Sequence, residues 1–222
     1  MPTVFISAND TGSGKTWVTA TLARLLLEKA ATIQVVKVVE TGIEESEAGD
    51  TEWIENQLVE HGSNIDGISF HRLLRYRRPM APVQAAEFDG EALSFETAVD
   101  LFRELPPADW KLVEGAGGVA VPLENSRSPR DWGDFAQAID ATYVCLVVDD
   151  RLGAINQARL LAEFSTTRSL NAGWWLNQVV DSTPEDVLSV NRKTLATLDF
   201  PLWGCQSYQS LQPEIVEASW LN

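Results

Sequence analysis

A glycine-rich loop that ends in lysine and threonine separates the first strand-like run of the chain from the first helical run. The loop spans Ala8–Thr16 and reads Ala-Asn-Asp-Thr-Gly-Ser-Gly-Lys-Thr. Gly12 and Gly14 allow the backbone to curl, so that successive N–H groups can point at one oxyanion. Lys15 adds a full positive charge, and the Thr16 hydroxyl is suited to bind Mg²⁺. The loop therefore predicts a site for the phosphate groups of a nucleotide.

A second lysine lies near the end of the next strand-like run. Lys37 belongs to the run Ile33–Val39 and is followed by Glu40, Thr41 and Gly42. A buried ammonium group is costly to desolvate unless an anion is present to pair with it. The alternative is that the lysine stem extends along the strand end and its ammonium reaches solvent. Beside a phosphate-binding loop, we expect Lys37 to be a second cation over the same phosphates.

Two carboxylates are candidates for metal ligands. Glu114 ends a strand-like run and is followed by a glycine-rich stretch, and Asp50 begins a helical run after an acidic segment. Mg²⁺ prefers hard oxygen ligands and takes one or two protein carboxylates together with phosphate oxygens and water. Glu114 and Asp50 could supply these beside the Thr16 hydroxyl. Asp50 has an alternative interpretation, because aspartate at a helix start is often only an N-cap.

Other polar residues offer weaker signals. Asn177 follows a strand-like run, where its amide could recognise the edge of a nucleotide base or could be an ordinary loop residue. His61 and His71 lack the spacing of a zinc site or of a Ser-His-Asp triad. A run of four arginines could bind an anionic substrate or form a solvated loop: Arg72, Arg75, Arg77 and Arg78.

Alternating strands and helices position these residues. The pattern predicts one α/β domain over residues 1–222, with a mostly parallel sheet, helices on both faces and ligands at the carboxyl ends of the strands. Residues 61–90, rich in Pro and Arg, are expected to be irregular. The predicted strands are Thr3–Ser7, Ile33–Val39, Trp110–Glu114, Thr142–Val148 and Ala172–Leu176, and the predicted helices are Lys15–Lys29, Thr51–Leu58, Ser94–Leu105, Asp131–Ile139, Ile155–Thr166 and Pro184–Leu198.

The amino-acid composition argues against some classes of binding partner. Seventeen basic residues against 32 acidic ones give the 222-residue chain a formal net charge of −15. Such a polyanion repels nucleic acid and anionic membranes, so we expect neither as a partner. Cys145 and Cys205 do not suggest a disulfide framework, and the first residues include no basic leader and no long apolar segment. We therefore expect a cytoplasmic protein.

Taken together, these motifs resemble the dethiobiotin synthetase family, whose members have a P-loop fold. The likeness runs in order along nearly the whole chain and extends beyond the P-loop, which many families share. The matching stretches are Asp10-Thr11-x-x-Gly14-Lys15-Thr16, Lys37-x-x-x-Thr41-Gly42, Pro79-x-x-Pro82, Glu114-Gly115-Ala116-Gly117-Gly118 with Pro122-Leu123, Leu152-Gly153-Ala154-Ile155-Asn156, Gly173-x-x-x-Asn177 and Pro201-Leu202-x-Gly204.

The resemblance implies a Mg²⁺-dependent reaction of 7,8-diaminopelargonic acid, CO₂ and ATP that gives dethiobiotin through a carbamate and a carbamic-phosphoric anhydride. It implies catalytic roles for Lys15, Lys37 and Thr11, and metal ligands at Thr16, Asp50 and Glu114. Thr41 would position the reacting substrate. ATP-binding residues implied by the resemblance are Gly12, Ser13, Gly14, Lys15, Thr16, Trp17, Asp50, Glu114, Gly115, Ala116, Gly117, Asn177, Gln178, Ser207, Tyr208, Gln209 and Glu214.

The resemblance also implies a homodimer in which Asn156, at the start of a helix, binds the substrate carboxylate for the partner subunit. Some positions depart from the family pattern: Ala8 replaces a usual Gly, Val38 a usual Pro, and Val83 stands where His often follows. These departures leave nucleotide preference and substrate detail open.

Two other functions remain compatible with the motifs. One is a homologue that has the same fold but acts on another substrate or serves as a binding module. The other is a partner-regulated ATPase switch, although such proteins usually carry a signature lysine early in the P-loop, where this chain has Asn9 and Asp10.

Overall fold

Eight strands form one sheet that runs through the middle of the protein. The computed structural model describes residues 1–44 and 46–221, so Glu45, in the acidic segment, and Asn222 lie outside the described residues. The strand order is β3-β2-β4-β1-β5-β6-β7-β8, with the first seven parallel and β8 antiparallel. The strands are β1 (Thr3–Ala8), β2 (Ile33–Thr41), β3 (Ile68–Tyr76), β4 (Trp110–Glu114), β5 (Tyr143–Asp149), β6 (Ala172–Asn177), β7 (Leu202–Gln206) and β8 (Glu214–Ile215).

Helices cover both faces of the sheet, as the alternating pattern predicts. Successive side chains of a strand point to opposite faces, so Val4 and Ile6 pack against α1 and α2, while Phe5 packs in the core that includes residues of α3 to α6. Every helix in the described part of the chain is too short or too polar to span a lipid bilayer. The helices are α1 (Lys15–Leu26), α2 (Asp50–Glu60), α3 (Pro82–Phe88), α4 (Phe95–Arg103), α5 (Trp132–Ala138), α6 (Ala154–Thr167) and α7 (Glu185–Leu195).

The expectation that residues 61–90 are irregular is wrong. This segment contains the edge strand β3 and the helix α3, which begins at Pro82. Arg72 and Arg75 lie on β3 and pair in register with Lys37 and Glu40 of β2, so a solvated loop is also the wrong interpretation for these two arginines. An edge strand is only half-buried, and its charged residues hide the apolar alternation that identifies a central strand.

The C-terminal part adds two strands and an aromatic cluster to the far edge of the sheet. Trp174, Trp175 and Trp203 are buried. Trp220 stacks on Trp203 with ring centroids 4.5 Å apart, and its indole N–H donates to the Glu217 carbonyl. The C-terminal segment is thereby packed onto the sheet through aromatic contacts.

A buried carboxyl links the loop after β5 to α7. Asp150 Oδ1 accepts a hydrogen bond of 2.7 Å from Asn191 Nδ2. The same Nδ2 also donates to the Arg151 carbonyl oxygen over 3.0 Å. Burial, together with the neighbouring charges of Asp149 and Glu185, raises the pKa of Asp150 to about 6, although the hydrogen bond from Asn191 acts in the opposite direction. Ionisation of Asp150 is therefore less favourable in the folded chain than in the unfolded one.

We predict that Asp150→Asn stabilises the protein at pH 7 and not near pH 4. The folded state binds a proton at Asp150 up to about pH 6, whereas the unfolded state loses it near 3.8. Wild-type stability therefore falls as pH rises between these values, and the neutral amide removes this loss. We expect the Tm at pH 7 to rise by roughly 2–4 °C, the shift that about 1 kcal/mol gives in a domain of this size.

Thermal unfolding of wild type and variant between pH 4 and pH 8 is the measurement. Asp181→Asn, at an exposed turn position, is the matched control. An equal loss of stability in Asp150→Asn at pH 4 and at pH 8 would contradict the raised pKa of Asp150.

Candidate functional site

The P-loop has the conformation that its glycines predict. Gly12 and Gly14 have φ angles of 79° and 82°, in the left-handed region that favours glycine. Gly14 caps α1, whose first residue is Lys15. The loop after β4 supports the P-loop from behind, because Val119 N donates to the Ala8 carbonyl over 2.7 Å. The helix start and the loop N–H groups together form the anion site expected from the motif.

Lys15 folds back over the P-loop. Its side chain is buried, and Nζ donates to the Asp10 carbonyl oxygen over 3.1 Å. Burial lowers the pKa of Lys15 to about 8, and the charge of Glu114 opposes part of this shift. Lys15 is thus a buried cation that donates to a neutral carbonyl oxygen, which leaves its charge available to an anionic ligand.

Lys37 lies between the two predicted metal ligands. Its Nζ is 2.6 Å from Glu114 Oε1 and 2.5 Å from Asp50 Oδ2, and its side chain is only 7% exposed. Burial by itself lowers the pKa of Lys37, but the charges of Glu114 and Asp50 outweigh burial and raise it above the ordinary value. The ammonium does not extend to solvent, so the alternative of a solvated strand-end lysine is wrong.

Glu114 uses both carboxylate oxygens. Oε1 accepts from Thr16 Oγ1 over 3.0 Å as well as from Lys37, and Oε2 accepts from Thr19 Oγ1 over 2.8 Å. Thr19 lies three residues after Thr16, on the same face of α1, and this spacing is a signal in the sequence that could have predicted the contact. Glu114 is therefore fixed in one orientation from two sides.

Asp50 is the first residue of α2, and Gly49 occupies the N-cap position. The alternative of Asp50 as a helix cap is therefore wrong, because its carboxylate is turned to Lys37.

The oxygens around Lys37 fit a magnesium ion. The ammonium of Lys37 joins Glu114 to Asp50, and Glu114 in turn accepts from the Thr16 hydroxyl, so three hard oxygen donors are linked in one cluster. Among the described residues, no group of three or more His, Cys, Asp or Glu side chains could bind a metal. Two carboxylates and a hydroxyl are nevertheless the partial set that Mg²⁺ uses when phosphate oxygens and water complete its shell.

A cleft of about 750 Å³ joins these elements at the carboxyl ends of the strands. Sixteen of the predicted site residues line it, and they come from six separate segments of the chain. The sixteen are Thr11, Gly12, Gly14, Lys15, Thr16, Trp17, Lys37, Thr41, Asp50, Glu114, Ala116, Gly117, Asn177, Gln178, Tyr208 and Gln209.

Five predicted residues are not among the described residues that line the cleft. Ser13 is buried under the loop, where its hydroxyl donates to the Asp10 carbonyl. Gly115 faces the rings of Phe5 and Trp132. Ser207 is exposed beside the cleft.

Glu214 and Asn156 lie further away. Glu214, on β8, is ion-paired with Arg192 of α7. Asn156 is exposed in the first turn of α6, two residues after Ala154, at which the helix begins.

One end of the cleft is formed around Thr41. Gly42, with a φ angle of 82°, allows close approach of Pro79, whose Cβ would lie 3.0 Å from a side chain placed at position 42. This contact brings the segment Pro79–Pro82 to the cleft wall, which also includes Thr41 and Val121. The proline and aliphatic groups of this wall are suited to an apolar chain.

The opposite end of the cleft contains the amides expected to contact a base. Asn177 is buried, and its Nδ2 donates to the Ser13 carbonyl oxygen over 3.1 Å. One amide hydrogen is therefore used to fix the P-loop, a contact that the sequence did not predict. Gln178 Oε1 accepts from the Tyr208 backbone N–H over 3.3 Å, which joins the loops after β6 and β7.

Trp53 is a cleft residue that we did not predict. It lies on α2, one turn after Asp50, and packs edge-on against Trp17 with ring centroids 4.7 Å apart. Because Asp50 and Trp53 are three residues apart on one helix, this spacing could have predicted that Trp53 faces the same side as Asp50.

Comparisons with known proteins agree with these features. Residues 2–202 match the family described as AAA domain. An ATP-dependent dethiobiotin synthetase of Corynebacterium glutamicum (strain R) is 31% identical over 207 residues, which cover 92% of this chain and 87% of that protein. One from Legionella pneumophila (strain Philadelphia 1) is 30% identical over 219 residues, which cover 94% of each.

Solved structures share the fold at low identity. FtsY from Mycoplasma mycoides has a TM-score of 0.55 at 18% identity, covering 99% of this chain and 66% of that chain. A plasmid partition protein from Borrelia burgdorferi B31, bound to AMPPNP, has a TM-score of 0.54 at 12% identity, covering 99% of this chain and 93% of that chain. The structures support the P-loop fold alone, and the sequence relatives identify the family: this chain belongs to the ATP-dependent dethiobiotin synthetases.

Proposed function

We propose that this chain uses Mg²⁺-ATP and CO₂ to convert 7,8-diaminopelargonic acid to dethiobiotin, with release of ADP and phosphate. The observation that carries the proposal is the position of Lys37, between Glu114 and Asp50 and in one cleft with the P-loop and Thr41. The names of the sequence relatives support the same reaction.

The chemistry proceeds in three steps. A substrate amine adds to CO₂ and loses a proton, giving a carbamate. A carbamate oxygen then displaces ADP from the γ-phosphorus, giving a carbamic-phosphoric anhydride. The neighbouring amine attacks the carbonyl carbon, phosphate leaves with the C–O bond electrons, and loss of a proton completes the five-membered ureido ring.

The electrostatic problem is to bring two anions together. The carbamate and the γ-phosphate repel each other, in a protein whose own net charge is −15. Lys15 and Lys37, which line the same cleft, would supply positive charge to the reacting oxygens, and Thr11 would supply a donor at the loop. Thr16, Asp50 and Glu114 would hold Mg²⁺, which when bound neutralises phosphate charge.

No side-chain base is required in this scheme. The described residues that line the cleft include no histidine, and both oxygens of Glu114 already accept hydrogen bonds. In this proposal Thr41, at the end of β2, orients the carbamate or the amine. The amide and backbone groups of Asn177, Gln178, Tyr208 and Gln209, which line the cleft, would contact the nucleotide base.

A cytoplasmic homodimer with shared sites is part of the proposal. Leu152, just before α6, is 84% accessible, and Leu160, in the middle of α6, is 63% accessible. Asn156 and Leu160 are four residues apart, so they lie on the same face of the helix. An apolar face beside a helix N-terminus suits a two-fold contact that offers anion-binding groups to the partner's substrate carboxylate.

Product analysis tests the proposed reaction. The protein is incubated with 7,8-diaminopelargonate, ¹³C-bicarbonate and Mg²⁺-ATP, and dethiobiotin is sought by mass spectrometry. We expect labelled dethiobiotin in equal amount to the ADP formed. ATP hydrolysis without dethiobiotin formation, stimulated by a protein or nucleic-acid partner, would favour the alternative of a partner-regulated ATPase switch. The plasmid partition protein shows that the same fold also occurs outside the dethiobiotin synthetases.

Lys37→Ala should lower kcat by about 10²–10³-fold and weaken ATP binding much less. The missing charge matters most when the phosphoryl group is transferred, and Lys15 still contacts the nucleotide. Steady-state kinetics and nucleotide titration are the measurements. Activity within a few-fold of wild type would remove Lys37 from the mechanism.

Asp50→Asn and Glu114→Gln should each raise the Mg²⁺ concentration needed for half-maximal activity, because each removes one hard anionic ligand at constant size. Activity is titrated with Mg²⁺ at fixed free ATP. Glu124→Gln, which alters an ion pair with Arg130 outside the cleft, is the control. If the Mg²⁺ dependence of Asp50→Asn were unchanged, Asp50 would not be a metal ligand, and its role would be only the ion pair with Lys37.

Asn156→Ala should raise KM for diaminopelargonate and leave KM for ATP nearly unchanged. If sites are shared, mixing it with inactive Lys15→Ala chains creates dimers in which one site has both lesions and the other has none. About one quarter of all sites then regain high substrate affinity after random exchange. A fully active monomer in sedimentation would contradict the shared site.

A further inference from the structure

The start of α2, which carries Asp50, is attached to the sheet by charged side chains that the proposed reaction does not use. Glu40, near the end of β2, accepts a hydrogen bond of 2.5 Å at Oε1 from the Asp50 backbone N–H. Arg72 of β3 places Nε 2.6 Å from Glu40 Oε2 and also pairs with Glu52. We call Glu40, Arg72 and Glu52 the α2 clamp.

The clamp satisfies the first backbone donors of α2. The first N–H groups of a helix have no partner within the helix. Glu52 Oε2 accepts from Gly49 N over 3.0 Å, while Glu40 accepts from Asp50 N. Arg72 then joins the two carboxylates, because its side chain contacts both.

Close packing fixes the distance between the clamp and α2. A side chain at position 49 would place its Cβ 2.5 Å from Glu40 Oε1 and 2.7 Å from Glu40 Cδ. Only glycine therefore permits this approach. The ion pair is also shielded from water, since the side chains of Arg72 and Glu40 are 14% and 8% exposed. A shielded pair between two strands and a helix is screened little by solvent.

Glu40 is not available as a substrate ligand. It borders the cleft, but one carboxylate oxygen is directed to Asp50 N and the other to Arg72. Asp50, in contrast, has a side chain that is 35% exposed and an ion pair with Lys37. The direction of the Asp50 carboxylate thus depends on where the clamp places its backbone.

We infer that the α2 clamp positions Asp50 for the metal, so that Arg72 and Glu40 govern Mg²⁺ affinity without contacting metal, nucleotide or substrate. The inference rests on the proposed function in taking Asp50 as a metal ligand. Groups that orient a metal ligand commonly change metal affinity about 10–100-fold when they are removed. Arg72 and Glu40 are therefore positioning residues.

Binding of Mn²⁺ to the protein–ADP complex, followed by electron paramagnetic resonance, tests the inference without turnover. Arg72→Met retains much of the side-chain length and removes the charge. We expect it to weaken Mn²⁺ binding by about tenfold, while ADP affinity in EDTA stays at the wild-type value. Glu40→Gln, which retains an oxygen acceptor for Asp50 N, should weaken Mn²⁺ binding less. Arg77→Met, which breaks the outer Arg77–Asp89 pair, is the matched control and should leave Mn²⁺ binding unchanged.

A double-mutant comparison shows whether the clamp acts through Asp50. In an Asp50→Asn background, Arg72→Met should cause no further loss of Mn²⁺ affinity. Equal losses in both backgrounds, or no loss in a folded Arg72→Met protein, would overturn the inference. If Arg72→Met does not fold, Arg72→Lys replaces it, with the same two outcomes. An Asp50→Asn protein with wild-type Mn²⁺ affinity would instead overturn the metal role of Asp50 in the proposed function.

Discussion

The buried ammonium of Lys37, in contact with two carboxylates, is the interaction on which the site depends. An unpaired charge at this depth would be strongly destabilising, so Lys37, Glu114 and Asp50 must be brought together when the chain folds. The same contact prepares the site for its ligands. A cation already lies where two carboxylates converge, and in the proposed reaction a nucleotide with its metal would exchange partners with it while the site remains neutralised.

The sheet makes this contact possible. Lys37 and Glu114 are direct register partners on the neighbouring strands β2 and β4, so their side chains leave the sheet on the same side. The next strand, β1, leads into the P-loop, and α1 returns across the same edge with Thr16 and Thr19 directed to Glu114. The third member, Asp50, comes from a helix and depends on the α2 clamp for its place. Two charged residues are therefore positioned by the strands themselves and one by an ionic contact between elements.

The central strands and the P-loop could be predicted because their signals are local. A continuous apolar run indicates a buried parallel strand, and a polar residue at its end indicates the ligand edge of the sheet; Lys37 and Glu114 were found in this way. The edge strand β3 was missed because its arginines interrupt the apolar pattern. Contacts such as Asn177 with the Ser13 carbonyl and Arg72 with Glu40 join residues 164 and 32 positions apart, and no local pattern in one sequence specifies such pairs.

The most direct test of the Lys37 cluster is a crystal structure of the protein with Mg²⁺, a non-hydrolysable ATP analogue and 7,8-diaminopelargonate. We predict that Lys37 Nζ has left at least one of its two carboxylates and lies within hydrogen-bond distance of a γ-phosphate oxygen. A Lys37 that still bridges Asp50 and Glu114 while the γ-phosphate is bound elsewhere would contradict the role of this cluster in phosphoryl transfer.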